Sequence, residues 1–470
     1  MADGSLTACR IMTSIDGLPI LTSAQMRAAE VAAIEAGSSV EALMTRAGEA
    51  VAEAVRRVGA GQETLILCGP GNNGGDGYVA AVALRRAGVP VRVAASGEPG
   101  TDAARRARAG WDGPVEPLAT VRAAPVLIDA LFGTGLSRPL DPDIAGALSR
   151  LADAAQLSVA VDLPSGVRTD TGEVLGPLPR FDLTLTLGAL KPAHLLQPAA
   201  RYSRQIRTLD IGVTVTGDVR AIAKPDLARP DPDSHKFNRG MVAVVRGRMA
   251  GAAHLAAMAA MHAGAGYVAL LGASMPGEPH ALVRRALTDE ALADERIGAL
   301  VIGPGLGRDD EMRALLDRAL ETSRPLVIDG DALRLLDPDR LRSRAAPAIL
   351  TPHAGEFDGL FGSGPGSKID RARAAAARSG AILVFKGPDT VCAAPDGRVI
   401  VAGDASDWLS TAGTGDVLAG AIGMVLAAGL DPLAAAEVGV WLHRDAARRL
   451  GPAFIADELA VALRHARASL

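Results

Sequence analysis

The sequence predicts an α/β protein of two domains, each built on a largely parallel sheet, and three observations predict it. At 470 residues the chain is too long for one ordinary hydrophobic core. Short apolar runs alternate with alanine-rich helical stretches, the rhythm of strand–helix–strand units. That rhythm stops once, at the polar, proline-bearing stretch 224–234 (KPDLARPDPDS), and then restarts, so the expected domains are 1–223 and 224–470.

Taken in order, helical periodicity over 23–58 leads into an apolar run at 64–68, followed by runs at 89–94, 125–129, 157–162 and 183–187. These are mostly continuous rather than alternating, as strands covered on both faces require. The second half repeats the pattern at 241–245, 267–271, 299–302, 325–329, 348–350 and 382–385. A hairpin over 391–401, turning at Pro395, Asp396 and Gly397, precedes the closing helices. The loop motifs of the two halves differ, so no internal duplication is indicated.

Composition narrows the partners. The chain is 49% hydrophobic but only 3% aromatic, with 53 glycines, which fits an Ala/Val/Leu-packed core with many tight turns. A net charge of −4 builds no basic field, which excludes nucleic acid and leaves small molecules, with room for a homo-oligomer. The uncharged stretch 250–272 raises the question of a membrane span. Its alanines and glycines, its His254 and His262, and the breaks at Gly264 and Gly266 answer for a buried helix and strand instead. Cys9, Cys68 and Cys392 form no metal-binding spacing and read as reduced thiols. With no secretory signal at the start, a cytoplasmic protein is expected.

Three loops of the first half carry chemistry. Cys68-Gly-Pro-Gly-Asn-Asn-Gly-Gly-Asp-Gly77 follows a strand and opens a helix, so Gly69, Gly71 and Gly74 fit a phosphate-binding GxGxxG turn in a Rossmann-like doubly wound sheet. The next strand lacks the ribose-binding acid of nicotinamide dehydrogenases, and Asn72, Asn73 and Asp76 crowd the loop with polar groups, which argues against a dehydrogenase. Asp129 ends a strand ahead of Leu131-Phe-Gly-Thr-Gly-Leu136, and Asp162 ends another ahead of Leu163-Pro-Ser-Gly166. Each aspartate singly could be a helix cap. Parallel strands, however, bring all three loops to one edge, where an amide, a carboxylate and a hydroxyl supply the oxygens a hard cation wants.

GPGNNGGDG, DALFGTGL and VDLPSG, in this order after Leu43-Met-Thr-Arg-Ala-Gly48, resemble the NAD(P)H-hydrate epimerase family over about residues 20–215. The resemblance implies that Asn73, Asp129 and Ser165 hold a potassium ion. It implies that Asn72, Asn73, Gly74, Gly75 and Asp76, with Gly133, Thr134, Gly135, Leu136, Ser137, Arg138 and Pro139, line the hydrated nucleotide. Asp162 would contact the reacting end and relay its protons. The Leu136-Ser-Arg-Pro139 tail departs from a family pattern with lysine or glycine.

In the second half, Ser410-Thr-Ala-Gly-Thr-Gly-Asp-Val-Leu-Ala-Gly420 sets glycines and Asp416 at the head of an apolar helix. That offers an anion hole for a transferring phosphate and a base for a hydroxyl; the alternative is an aspartate that only complements the helix dipole. Polar loops also follow the runs at Gly303-Pro-Gly-Leu-Gly307, Asp329-Gly-Asp331, Thr351-Pro-His-Ala-Gly-Glu356 and Lys386-Gly-Pro-Asp-Thr390. A lone histidine such as His353 is more often structural than catalytic.

Together these motifs resemble the ADP- or ATP-dependent NAD(P)H-hydrate dehydratases, of ribokinase-like fold, over about 233–465. The resemblance implies that Ala252, Gly305, His353 and Asp416 contact the hydrate, that Lys386, Gly387, Pro388, Asp389, Thr390 and Gly415 hold ADP or ATP, and that Asp416 is the base. Magnesium is implied, with Asp329, Asp331 and Glu356 as candidate ligands. Phe237 and Arg246 depart from the family pattern in a region expected to lie near Ala252. The expected activity is repair of hydrated NADH and NADPH. The alternatives are a ribokinase-like small-molecule kinase with an N-terminal nucleotide-binding module, or a first half that only retains the epimerase scaffold.

Overall fold

The computed structural model describes residues 13–272 and 279–470, so Cys9 lies outside the described residues. The chain divides into two compact units, Met1–Ala221 and Ile222–Leu470.

The first unit opens with α1 (Ser23–Glu35), started by a Thr22–Gln25 capping box, and α2 (Val40–Val58), capped by Ser39. Then follow β1 (Thr64–Cys68), α3 (Asn72–Arg86), β2 (Val91–Ala95), α4 (Asp102–Ala109), β3 (Val115–Pro117), β4 (Val126–Ala130) and α5 (Pro142–Ala154). The chain continues through β5 (Leu157–Val161), β6 (Leu183–Leu187), α6 (Pro192–Leu195), β7 (Ile206–Leu209) and the short β8 (Val219–Ala221). The sheet order is β3-β2-β1-β4-β5-β6-β7, parallel throughout. β1, β4 and β6 are buried along their whole length, the physical content of their continuous apolar runs. Strand order reverses between β1 and β4, which opens a crevice at their carboxyl ends.

In the second unit β9 (Met241–Val245), α7 (Ala250–Ala263), β10 (Tyr267–Leu271), β11 (Val283–Arg285), α8 (Asp289–Leu292), β12 (Ile297–Ile302) and α9 (Asp310–Glu321) come first. They are followed by β13 (Leu326–Ile328), α10 (Gly330–Leu335), β14 (Ala348–Leu350), α11 (Ala354–Phe361), α12 (Lys368–Ser379) and β15 (Ile382–Phe385). The expected hairpin is β16 (Thr390–Ala393) with β17 (Val399–Ala402), antiparallel, and three helices close the chain: α13 (Thr414–Ala427), α14 (Pro432–Leu450) and α15 (Ala456–Ala468). These strands run β11-β10-β9-β12-β13-β14-β15-β16-β17, reversing between β9 and β12.

The stretch 250–272 is the buried α7 followed by β10, as its composition implied. The buried face of α7 is all alanine, and α13 meets it at Gly420, where an added methyl would stand 2.0 Å from Ala256 O. No described helix is long and apolar enough to cross a membrane.

Phe237 is a correction to the expected site neighbourhood. Its ring packs 5.3 Å from Tyr267, the first residue of β10, and so lies at the amino edge of the sheet, away from the loops at the carboxyl ends. Arg246 directly follows β9 at the carboxyl edge and donates from Nη1 to Gly272 O at 3.1 Å.

Candidate active sites

In the first unit the loops after β1, β4 and β5 converge because those strands are neighbours. The glycine turn is partly a packing device: a methyl at Gly69 would stand 1.7 Å from Leu131 O, and one at Gly74 would stand 1.9 Å from Gly69 O. Gly71 has nothing within 4 Å and begins α3 without a side-chain cap, which leaves the helix N–H groups open to an anion.

Asp129 is fully buried. Its Oδ1 accepts from Ser165 Oγ (2.8 Å) and Leu131 N (3.1 Å), and its Oδ2 from Ser165 N (2.9 Å). Burial pushes its carboxyl up to about 6 against those hydrogen bonds. These partners are neutral donors, so a cation would suit this carboxylate. Asn73 lies across Gly133, where an added methyl would meet Asn73 Oδ1 at 3.1 Å and Asp162 Oδ2 at 3.3 Å. Asn73 Nδ2 is buried without a hydrogen-bond partner, and since the amide can be turned, that orphan position suits a ligand or a cation equally.

A cavity of about 550 Å³ is lined here by Asn72, Asn73, Asp76, Asp162 and the 133–136 loop, and also by residues of α1 and α2. Gly74 and Gly75 are buried and do not line it, Gly75 being packed on Met44; Ser137, Arg138 and Pro139 do not line it either. Asn72 is held from α4's cap, Thr101 Oγ1 donating to its Oδ1 at 2.6 Å.

Asp162 occupies a left-handed backbone conformation (φ 64°), a strained position at the strand end. Its partner is Lys191, which no motif had marked. Lys191 is 1% exposed, and its Nζ donates to Asp162 Oδ1 (2.5 Å), Leu187 O (2.7 Å) and Thr186 Oγ1 (3.2 Å). His194 locks this pair: its Nδ1 accepts from Lys191 N (2.8 Å), so Nε2 carries the proton and donates to Asp162 O (2.7 Å). Burial, aided by Lys191, holds His194 down at about 4, which keeps it neutral. Asp76 is raised well above its ordinary value by burial and then by the Asp162 and Glu30 charges, so beside the ion pair the cavity holds a carboxyl whose protonated form is favoured. Such a set can both give and take protons.

In the second unit the ends of adjacent strands β13, β14 and β15 set Asp329, Thr351 and Lys386 side by side. Asp329 Oδ1 accepts from Lys386 Nζ (2.7 Å) and Thr351 Oγ1 (2.6 Å). Burial would lower the lysine, but Asp329 overrides it and holds Lys386 above its ordinary value. Lys386 Nζ reaches the start of α13, where a methyl at Gly415 would stand 3.2 Å from it. That helix begins after Gly413 in left-handed conformation (φ 90°), again with no side-chain cap. Asp416, in its first turn, is pushed up to about 7 by burial and by the charges of Asp329 and Asp331, against Lys386.

Ala252 and Gly305 are brought together: a methyl at Gly305 would lie 3.0 Å from Ala252 Cβ. His353 caps α11, its Nδ1 accepting from Gly355 N (3.0 Å) and Glu356 N (3.3 Å) while Glu356 accepts from His353 N (2.9 Å). The three candidate magnesium ligands do not gather. Asp329 is tied to Lys386, Glu356 to the α11 cap, and Asp331 to Gly307 N (3.0 Å) and Arg308 Nε (2.6 Å). Among the described residues no group of three or more His, Cys, Asp or Glu could hold a metal ion. The 386–390 loop is pinned from α12 by Lys368, another unforeseen residue, whose Nζ donates to Asp389 Oδ1 (2.7 Å) and Lys386 O (3.2 Å). Asp389 and Thr390 are buried, Thr390 Oγ1 donating to Gly387 O (3.0 Å).

The family model described as NAD(P)H-hydrate dehydratase matches residues 242–465, and the one described as YjeF-related protein N-terminus matches 40–193. The bifunctional NAD(P)H-hydrate repair enzyme of Thermofilum pendens is 34% identical over 466 residues, covering 88% of each chain. That of Salinibacter ruber is 35% identical with 92% of each chain covered, and that of Mycobacterium tuberculosis is 36% identical, covering 83% of this chain and 85% of its own. A crystal structure of the ADP/ATP-dependent NAD(P)H-hydrate dehydratase of Bacillus subtilis with ATP and magnesium is 28% identical, with a TM-score of 0.46 over 52% of this chain and 94% of that one.

Proposed function

The chain belongs to the bifunctional NAD(P)H-hydrate repair enzymes, and from that premise we propose how its two sites divide the work. It interconverts the R and S hydrates of NADH and NADPH and dehydrates the S hydrate to the intact coenzyme with ADP or ATP. What carries this reading is the likeness running through both units, with the repair enzyme of Thermofilum pendens matched over 88% of the chain.

The first unit is the epimerase. Inversion at C6 requires the C6 hydroxyl to leave as water and another water to add from the opposite face. Asp162, fixed by Lys191 and His194, moves a proton at C6. Asn72, Asn73, Asp76 and the 133–136 loop surround the substrate, and the open N–H groups of α3 receive its phosphates. Asn73, Asp129 and Ser165 would hold potassium, supported by the orphaned amide atom of Asn73 and the neutral partners of Asp129. Potassium, when bound, supplies a countercharge to the buried carboxylate. Added potassium is expected to raise the thermal midpoint of the free protein over sodium, and Asp129→Asn to remove that difference.

The second unit is the dehydratase. Asp416 takes the proton of the C6 hydroxyl, whose oxygen attacks the terminal phosphorus of ADP or ATP. Lys386 and the N–H groups at the head of α13 stabilise the charge on the phosphoryl group in transit. The C6–O bond then breaks to release inorganic phosphate, C5 loses a proton, and the C5–C6 double bond returns. Ala252, Gly305 and His353 border the hydrate; Lys386, Gly387, Pro388, Asp389, Thr390 and Gly415 hold the adenine nucleotide. Magnesium, when bound, would neutralise phosphate charge; since Asp329, Asp331 and Glu356 do not gather, its ligands would come chiefly from the phosphates of the nucleotide. We place the enzyme in the cytoplasm, in keeping with Cys68 and Cys392, which are buried and in no disulfide.

Mixing the protein with R and S hydrates, magnesium, potassium and either ADP or ATP is expected to restore the absorbance of the reduced nicotinamide for the whole mixture. A phosphorylated product without released phosphate would overturn the dehydratase reading in favour of a kinase. Recovery that stops at the S fraction would overturn the epimerase reading.

A further inference from the structure

Glu30 lies on α1, a helix that none of the loop motifs touches. Met26 seats that helix at the end of β6: a methyl at Gly188 would stand 2.8 Å from Met26 Cε. Met26, Glu30 and Ile34 thereby wall the cavity into which the strand-end loops open. Glu30 is half-buried, yet no hydrogen bond or ion pair among the described residues holds its carboxylate. Four charged groups face it. Lys191 and Asp162 stand at the sheet edge, Arg27 on its own helix, and Asp76 on α3. Burial lifts its carboxyl above the ordinary range, with Lys191 opposing, Asp162 adding to the rise and Arg27 opposing it.

The chemistry demands what this geometry offers. Loss of the hydroxyl from one face of C6 needs a proton donor there, and addition of water to the other face needs an acceptor on that side. Asp162 is anchored to the sheet edge by Lys191 and Leu187 N and serves one face only. A carboxyl on the helix that forms another wall of the same cavity, free of protein partners, is placed for the second.

We propose that Glu30 is the second proton-handling residue of the epimerase, acting on the ring face opposite Asp162; this rests on reading the first unit as the epimerase. In one direction the Glu30 carboxylic acid gives its proton to the C6 hydroxyl. The C6–O bond breaks, water leaves, and the N1 lone pair forms a C6–N1 double bond. Water then adds to C6 from the other face, that electron pair returns to N1, and the excess proton goes to Asp162. The net shift of one proton from Glu30 to Asp162 is reversed by exchange with water or by turnover of the other epimer.

The test uses the full-length chain with R hydrate and potassium but no nucleotide, following R-to-S conversion by chromatography. Glu30→Gln is expected to lower kcat for epimerisation by about 10²-fold or more, and to remove one limb of the pH profile of kcat/KM. Glu30→Asp should recover part of the rate and restore the limb. Dehydration of S hydrate with nucleotide should match wild type, and an unchanged thermal midpoint establishes that the first unit is folded in the variant. An unchanged rate and pH profile in Glu30→Gln overturns the proposal while leaving the epimerase reading intact. A lowered thermal midpoint with both limbs preserved makes Glu30 structural and overturns it equally. A wild-type chain that leaves R hydrate unconverted overturns the epimerase reading and this proposal together.

Discussion

Asp416→Asn is expected to slow dehydration of the S hydrate by about 10²- to 10⁴-fold while epimerisation continues at the wild-type rate. Asparagine keeps the shape of the side chain and the first turn of α13, so the variant removes the base rather than the helix. The pH profile carries the sharper signature. Burial raises the Asp416 carboxyl to about 7, so below that pH it is protonated and cannot accept the hydroxyl proton, and above it the carboxylate is free to act. The kcat/KM for dehydration should therefore rise as pH increases through about 7, and Asp416→Asn should lose that limb. If the limb persists in the variant, another group is the base. If epimerisation falls in parallel in a folded protein, the two reactions do not occupy separate units.

The second large effect is expected at the Lys191–Asp162 pair. Asp162→Asn should strand the R hydrate, so that repair of a mixed sample stops at the S fraction. Asparagine is a suitable probe because it tolerates the left-handed backbone that Asp162 adopts (φ 64°). The substitution also leaves an uncompensated buried ammonium at Lys191, and breaking a buried pair in this way costs about 3–5 kcal/mol. Combining Asp162→Asn with Lys191→Met should return much of that stability, since the second change removes the orphaned charge, without returning epimerisation. Denaturant unfolding of the single and double variants, beside the R-to-S rate, separates the two effects. A double variant less stable than either single one would show that Lys191 supports the unit by packing, not by charge.

The loop chemistry was legible because it is local. Gly69, Gly71 and Gly74 declare a tight approach of backbone to backbone or ligand, and Gly133 marks space that a side chain would fill; such needs are met by residue type within a few positions. Asp129 and Asp162 were legible as aspartates where an apolar run ends in a polar turn, and Asp416 as one where a glycine turn opens an apolar helix. One pattern can serve two local tasks. His353-Ala-Gly-Glu356 reads equally as a polar loop and as a capping box, and the structure uses both side chains to cap α11.

Lys191, Glu30 and Lys368 were not legible, and the reason is topological. Lys191 follows β6 and meets Asp162 because β5 and β6 are neighbours; Glu30 meets the site because α1 is seated over the end of β6 by Met26 and Gly188. Nothing at the level of spacing announces these meetings, and the same holds for Phe237, whose packing on Tyr267 places it at the amino edge of the sheet.

By itself, then, the sequence determined the two α/β halves, their glycine turns and the aspartates at their strand ends, since backbone sterics and hydrophobic periodicity act over a few residues. Tertiary structure alone decided which charges face one another and in what state. Asp76 is held well above its ordinary value, His194 holds a single tautomer, and Asp416 is pushed up to about 7, because a carboxyl or imidazole responds to the water removed and the charges gathered around it, and both are set by segments far apart in the chain.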